Sequence, residues 1–431
     1  MARKRVIYQS EALFVGPTGS NFLYSSGSWD SGQWEIADPT IALASNRYNT
    51  LFRTDDFIKI NTTGVDGANL PINGGSFNTN FSGSFPVGAF ASGLSNRIVQ
   101  INRVQSANYS FDIARQDVNQ YGQLGAIDRV ILEQPTVSLD FSYYANSGDN
   151  EKSLGFTLGS TKGALADILS GGKDIQNYYI LISPEGTDAN VDKVIATGQG
   201  KVIGVGNAGL TSYSLEASVG GFPTVTVNAE ALNMKFYAQP SGLVPTVNAE
   251  DGSPITNNAF KVPNPDQGAG YSALRPGDIT LSVSGLGFNT SDLKIQSFTL
   301  STDIGRDPIQ KLGSKYAFSR EITFPVTVNA SVEAIVGDIG GSDNLGNALT
   351  DLVCDDKNSF DLVFTLGAPT TDCLQSTPPT RAMRYTLKGA KLDSQEVSSS
   401  IGDNKTVTLG FSAQIAGPTD TAKGLFIEGP S

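Results

Sequence analysis

Val104-Gln-Ser-Ala-Asn-Tyr-Ser-Phe-Asp-Ile-Ala-Arg115 lies over Ile295-Gln-Ser-Phe-Thr-Leu-Ser-Thr-Asp-Ile-Gly-Arg306 when the chain is compared with itself at a shift of 191 residues. Carried without a gap to Val137 and Val328, the comparison holds 12 identities in 34 positions. Chance supplies about two, so the stretch is a repeat, and a repeat governs every later reading. Its fixed points are Asp112/Asp303, Arg115/Arg306, Gly122/Gly313, Arg129/Arg320 and Thr136-Val137/Thr327-Val328.

Working outward, a second block matches at a shift of 184, where Ala164 to Leu169 faces Ala348 to Val353 and Lys173 faces Lys357. A third, at 182, sets Ala208 to Ala231 over Ala390 to Ala413 with 9 identities in 24. Order and spacing are kept, which predicts one fold encoded twice in tandem. Each copy reads as two strands, a polar Gly-containing loop, a strand, a short helix, and three or four more strands. Ile279 to Ser284 alternates apolar and polar, as a sheet with one wet face requires. Ala and Leu at helical spacing predict the helix over Thr161 to Ser170 and again over Asp343 to Val353. The expected fold is mainly β: two β-sandwich or barrel domains, each flanked by one short helix.

The predicted boundaries are 1–237 for the first domain, 238–278 for a linker and 279–431 for the second. Six of the 20 prolines fall between Ala238 and Asp278, a composition that resists helix and central strand alike. Val6 to Val15 is expected to match Ile279 to Phe288. The first copy then carries an insertion, Gly16 to Asn96, where the second spends four residues. That insertion holds Trp29 and Trp34, which with Tyr24 form either a structural anchor or a sugar-stacking platform; the anchor is the expectation.

Among 431 residues there is no histidine, which removes the usual general base, the Ser-His and Cys-His nucleophile pairs and imidazole metal ligands. The reading is therefore not an enzyme, with no cofactor and no metal. Cys354 and Cys373 cannot make a four-ligand zinc site and are expected as reduced thiols. The basic Met1 to Arg5 is followed by no apolar core of a leader, and no apolar run approaches the ~20 residues that span a bilayer, so no membrane association is expected. A net charge of -12 argues against a protein that grips nucleic acid by neutralising phosphates.

Gly204-Val-Gly206-Asn-Ala-Gly209 fits the dinucleotide fingerprint, yet the second copy has Thr386, Lys388 and Lys391 there, and Leu210 to Val219 reads as turn and strand rather than helix. A strand connection is the expectation. The acidic pairs Asp55-Asp56 and Asp355-Asp356 lack the spaced oxygens of a calcium loop and read as solvated turns.

The most informative element is the segment from Arg115 to Arg129 with its counterpart from Arg306 to Arg320. Both exceed an ordinary hairpin loop, and both keep an Arg at each end and a central Gly. Apolar residues such as Val118, Tyr121, Leu124 and Ile127 need somewhere to be buried, which predicts a protein-contact arm.

These features resemble the tail tube (major tail) proteins of tailed bacteriophages. The resemblance is carried by the strand ending in Asp303-Ile-Gly-Arg306, the long loop to Arg320, the strand Ile322 to Ala330, the approach to a helix near Ala348 to Val353, and the strands Phe360 to Leu366, Tyr385 to Leu392 and Thr406 to Ile415. The first copy follows the same order from Val99 to Phe236. The resemblance implies sandwich domains in stacked sixfold rings whose inner sheets join as one barrel. With two domains per chain, it implies homotrimeric, pseudo-hexameric rings forming a tube for genomic double-stranded DNA. It further implies tape-measure, terminator and baseplate proteins as partners, and a location in the virion tail after assembly in the host cytoplasm. The residues expected at contacts between subunits or rings are Arg115, Asp117, Val118, Tyr121, Leu124, Arg129, Arg306, Ile309, Leu312 and Arg320. Asp112, Asp140 and Asp303 are candidates for the lumen. A carbohydrate-binding virion module or adhesin, and a tail terminator or baseplate tube protein, are the competing readings.

Overall fold

The computed structural model describes residues 11–17, 35–36, 48–54, 57–62, 99–131, 136–170, 173–183, 201–237, 243–247, 254–261, 273–284, 293–309, 312, 319–336, 359–369, 380–398 and 404–430. The predicted helix over Asp343 to Val353, both tryptophans, Tyr24, both acidic pairs and both cysteines lie outside these residues.

The first half contains β1 (Glu11–Pro17), β2 (Glu35–Ile36), β3 (Tyr48–Thr54), β4 (Phe57–Thr62), β5 (Val99–Gln100), β6 (Val104–Asp112), β7 (Arg115–Val118), β8 (Asp128–Ile131) and β9 (Thr136–Tyr144). Helices α1 (Asp149–Ser153) and α2 (Ala166–Leu169) come next, then β10 (Ile175–Ile182), β11 (Lys201–Ser218), β12 (Thr224–Ala231) and β13 (Asn233–Tyr237). After β14 (Leu243–Val247) and β15 (Pro254–Lys261), the second half runs through β16 (Ile279–Ser284), β17 (Leu293–Asp303), β18 (Arg306–Ile309), β19 (Ser319–Ile322) and β20 (Thr327–Val336). It ends with β21 (Phe360–Gly367), β22 (Arg381–Ser398), β23 (Thr406–Gln414) and β24 (Gly424–Glu428). The protein is mainly β, in large antiparallel sheets.

The two halves pair their strands in the same way. Antiparallel pairs β1·β10, β10·β11, β11·β12, β12·β9, β9·β6, β7·β8 and β11·β13 recur as β16·β21, β21·β22, β22·β23, β23·β20, β20·β17, β18·β19 and β22·β24. Register is kept as well: Arg115 faces Ile131 as Arg306 faces Ile322. Irregularities fall at matching places, between Val104 and Ser106 and between Ile295 and Ser297, and again between Leu210 and Ser212 and between Leu392 and Ser394. At the first of these, Gln105 Nε2 donates to the Arg103 carbonyl at 3.0 Å and Gln296 Nε2 to the Lys294 carbonyl at 3.1 Å. A β-bulge bends its strand and raises the local twist. This explains how β11 and β22, each 18 residues long, serve two layers. The N-terminal part of β11 pairs with β10 and β13, and the C-terminal part with β12.

The core fills the space between these layers. Tyr143, Phe141, Phe156 and Tyr213 are fully buried in the first half, and Phe298 stacks on Phe364 in the second with ring centroids 4.1 Å apart. Strand β9 alternates buried Val137, Leu139, Phe141 and Tyr143 with less buried Ser138, Asp140 and Ser142, the period-two signature of a half-wet sheet.

Three expectations need correcting. Glu11, not Val6, stands at the register position of Ile279, because Glu11 faces Ile182 as Ile279 faces Leu366. The helix expected over Thr161 to Ser170 is the single turn α2; Thr157 N–H bonds Ala164 O and Ala164 N–H bonds Leu425 O, so tertiary pairing takes the backbone groups a longer helix would use. The Pro-rich segment between the halves also holds a two-stranded ribbon, β14·β15, tolerable because prolines suit ribbon edges. Gly204 to Gly209 lies within β11, as a strand and not a helix start.

Candidate functional site

Three features are built from the repeat: a seam between the halves, a pair of arms and a polar sheet face. At the seam, β11 pairs antiparallel with β17, Ser212 facing Asp303 and Ser218 facing Ser297. Two four-stranded sheets thereby become one antiparallel run, β6-β9-β12-β11-β17-β20-β23-β22. Its outermost strands, β6 and the C-terminal part of β22, have no strand on their outer side among the described residues.

Arg306, at the base of the second arm, is drawn into this seam. Its side chain is 1% exposed; Nε donates to the Leu210 carbonyl at 2.8 Å and Nη2 to Asp174 Oδ1 at 2.5 Å. Gly209 makes room for it, since a Cβ there would sit 2.6 Å from Arg306 Cζ. Arg320 is also buried, with Nη1 3.1 Å from Glu230 Oε1. Burial pulls its guanidinium pKa down, while Glu230 pushes it up. Both arginines therefore clasp one half to the other, their charged groups being engaged within the chain. Gly209→Ala should unseat Arg306, whose anchored head has nowhere to swing, and lower stability by about 2 kcal/mol as a thermal melt would measure it.

The first arm is different. Arg115 and Arg129 are exposed, and Arg129 Nε pairs across the ribbon with Asp117 Oδ1 at 2.6 Å. The expected loop is a two-stranded ribbon, β7·β8, closed by a turn in which Gly122 has a φ of 91°. Tyr121 and Leu124 are fully exposed at its tip, with Val118 and Ile127 about half so. In the second arm Leu312 is fully exposed and Ile309 partly. Among the described residues, nothing buries these apolar side chains to repay their hydration.

On the sheet face turned away from the core, the outward residues are almost all Ser, Thr, Asn, Asp or Glu. The acidic ones are Asp112, Asp140, Glu216, Glu230, Asp303, Glu333 and Glu396. All three lumen candidates are among them. Over the outward positions of β6, β9, β12, β17, β20 and β23 within these pairings, and of β11 and β22 beyond their bulges, Lys294, at the far end of β17 opposite Ile335, is the single Lys or Arg among the described residues. Arg320 touches this face only at one end, where it covers Glu230. Cross-strand bonds order the face: Asn108 Nδ2 donates to Asp140 Oδ2 at 2.8 Å, and Ser297 Oγ to Glu333 Oε2 at 3.1 Å.

Behind the face, Glu151 lies buried where the halves meet. Its Oε1 accepts from Tyr143 OH at 2.8 Å and from Tyr213 OH at 3.2 Å, and Tyr213 OH shares a hydrogen bond of 2.6 Å with Tyr385 OH from the second half. Burial pushes the Glu151 pKa up against the pull of those hydrogen bonds. Sequence reasoning missed this knot, because α1 is only five residues long and Glu151 stands in no motif. No cluster of three metal-ligating side chains occurs among the described residues, and none of their helices is long and apolar enough to cross a membrane.

No protein-family model matches the chain, and no curated protein matches it. Among solved structures, it is similar to a chain in the cryo-EM structure of the anti-feeding prophage (AFP) baseplate, 6-fold symmetrised. The identity is 13%, with 35% of this chain and 91% of that chain covered and a TM-score of 0.24, a likeness too slight to assign a function.

Proposed function

We propose that the chain is a structural virion protein whose copies close into rings, three chains to a ring, that stack into a tail tube with the acidic sheet face turned to the bore. The observation that carries this reading is the continuous sheet: two equivalent halves already join edge to edge within one chain, leaving one complementary edge at each end. A head-to-tail contact of this kind either closes into a ring or runs on as a filament, and a ring leaves this eight-stranded run without an unpaired edge. In this reading each half is one tube domain, the halves being 1–237, with its insertion 16–96, and 279–431.

The wet face suits passage of DNA without retention. Carboxylates repel phosphate over about a Debye length, ~8 Å at physiological salt. Small hydroxyl side chains add polarity without a cation. The arms then supply contacts outside the sheet, the exposed Tyr121, Leu124 and Leu312 burying themselves on a neighbouring subunit or ring, and terminator, tape-measure and baseplate proteins would meet the tube ends.

Negative-stain microscopy of the purified chain tests the proposal. Tubes built of threefold rings are expected; single rings that never stack would favour a terminator or baseplate role, and a stable monomer that binds glycans would favour the adhesin. A second measurement addresses the bore. Asp140→Lys with Glu333→Lys should leave ring formation intact while raising retention of double-stranded DNA at least about tenfold at low salt, an effect that fades as salt rises.

A further inference from the structure

The seam inside the chain is a template for the seam between chains. The geometry points to a second copy of this chain as the occupant of β6, which pairs antiparallel with the C-terminal part of β22 in the register of β11·β17, but in a weaker seam that lacks the arginine clasp. The inference rests on the ring-forming reading above.

Register follows from the repeat. Within the chain Ser212, Ser214 and Glu216 face Asp303, Ser301 and Thr299. Moving each residue to its counterpart in the other half sets Ser394 opposite Asp112, Glu396 opposite Ser110 and Ser398 opposite Asn108. Burial agrees with an edge awaiting cover: Phe111 and Val397 are 59% and 49% exposed, whereas their counterparts at the internal seam, Thr302 and Leu215, are both 0% exposed. Over Val104–Asp112 and Ser394–Ser398, the stretches that would pair, neither edge carries the Lys or Pro that guards a strand meant to stay alone.

The clasp does not transfer. Arg115 is the counterpart of Arg306, but Lys391 replaces Gly209, Asn358 replaces Asp174 and Ser412 replaces Glu230. Since even a Cβ at Gly209 would come within 2.6 Å of the seated guanidinium, a lysine in that place blocks the berth and adds a like charge. The two carboxylates that hold the internal arginines are missing too. Each ring thus alternates a locked seam with a reversible one, so chains add as whole pairs of domains.

Two measurements test this. In a Cys354→Ser, Cys373→Ser chain, Ser110→Cys with Glu396→Cys should yield covalent head-to-tail multimers ending in a closed trimer on oxidation. Ser110→Cys with Ser398→Cys, a diagonal pair about 7–8 Å apart, should not. Separately, Lys391→Gly with Ser412→Glu should rebuild half the clasp and lower the protein concentration needed for rings about tenfold. Circular dichroism confirms that each variant folds. Rings that cross-link only through the diagonal pair, or a rebuilt clasp that leaves the concentration unchanged, would overturn the inference while sparing the ring itself. A folded chain that forms no multimer at any concentration would remove the ring-forming reading as well.

Discussion

Arg306→Ala is expected to lower the stability of the folded chain by about 2–4 kcal/mol, while Arg115→Ala, the same change at the repeat-equivalent site, shifts it by less than about 0.5 kcal/mol. The contrast comes from surroundings alone. Removing Arg306 leaves the Leu210 carbonyl without its donor and Asp174, only 21% exposed, without its cation. A buried acceptor stripped of its partner carries the full cost of its lost hydration. Arg115 lies in water on an exposed strand, where solvent replaces whatever it loses. Denaturant melts of the two variants decide the matter. Equal effects would mean that Arg306 is not the clasp its contacts describe.

Glu151 gives the second large effect. Glu151→Ala should cost about 3 kcal/mol, since it opens a cavity and takes the acceptor from the Tyr143 hydroxyl in a fully buried site. Glu151→Gln keeps an acceptor and removes the burden of charge. The folded-state pKa of Glu151 is raised above its ordinary 4.5, so its protonated form is the one that folding favours. Its contribution is fully present below about 4.5 and is lost as pH rises through the raised folded value. Wild type should therefore lose stability relative to Glu151→Gln on going from pH 4 toward neutrality, by about 1.4 kcal/mol for each pKa unit of elevation. Parallel melting curves for the two proteins across that range would show that the carboxylate is comfortable where it is.

Much of the fold was legible because the repeat is written in the strands themselves. Asp112/Asp303, Arg115/Arg306 and Thr136-Val137/Thr327-Val328 occupy the same register positions in both halves, so identity in sequence marked identity in pairing. Helices were less legible: α2 has the composition of a longer helix, but its flanking backbone bonds Leu425, a partner some 260 residues away that no local pattern announces. The glycines of Gly204 to Gly209 were separated from a nucleotide motif by Lys391 at the matching place. What that difference means, a berth for Arg306, needed the seam itself. The acidic face lay hidden for a similar reason. Alternation shows which residues share a side, but only the order of the strands gathers Asp140, Glu216, Glu333 and Glu396 on one surface.

The pairing of β11 with β17 has one more consequence, for how the protein can change over generations. Its two partner edges are translated together in equal number and inherited as a unit, so a substitution on one can be answered by another nearby without disturbing the outer edges of β6 and β22. Change confined to one half is thereby compatible with an unchanged pairing at the outer edges.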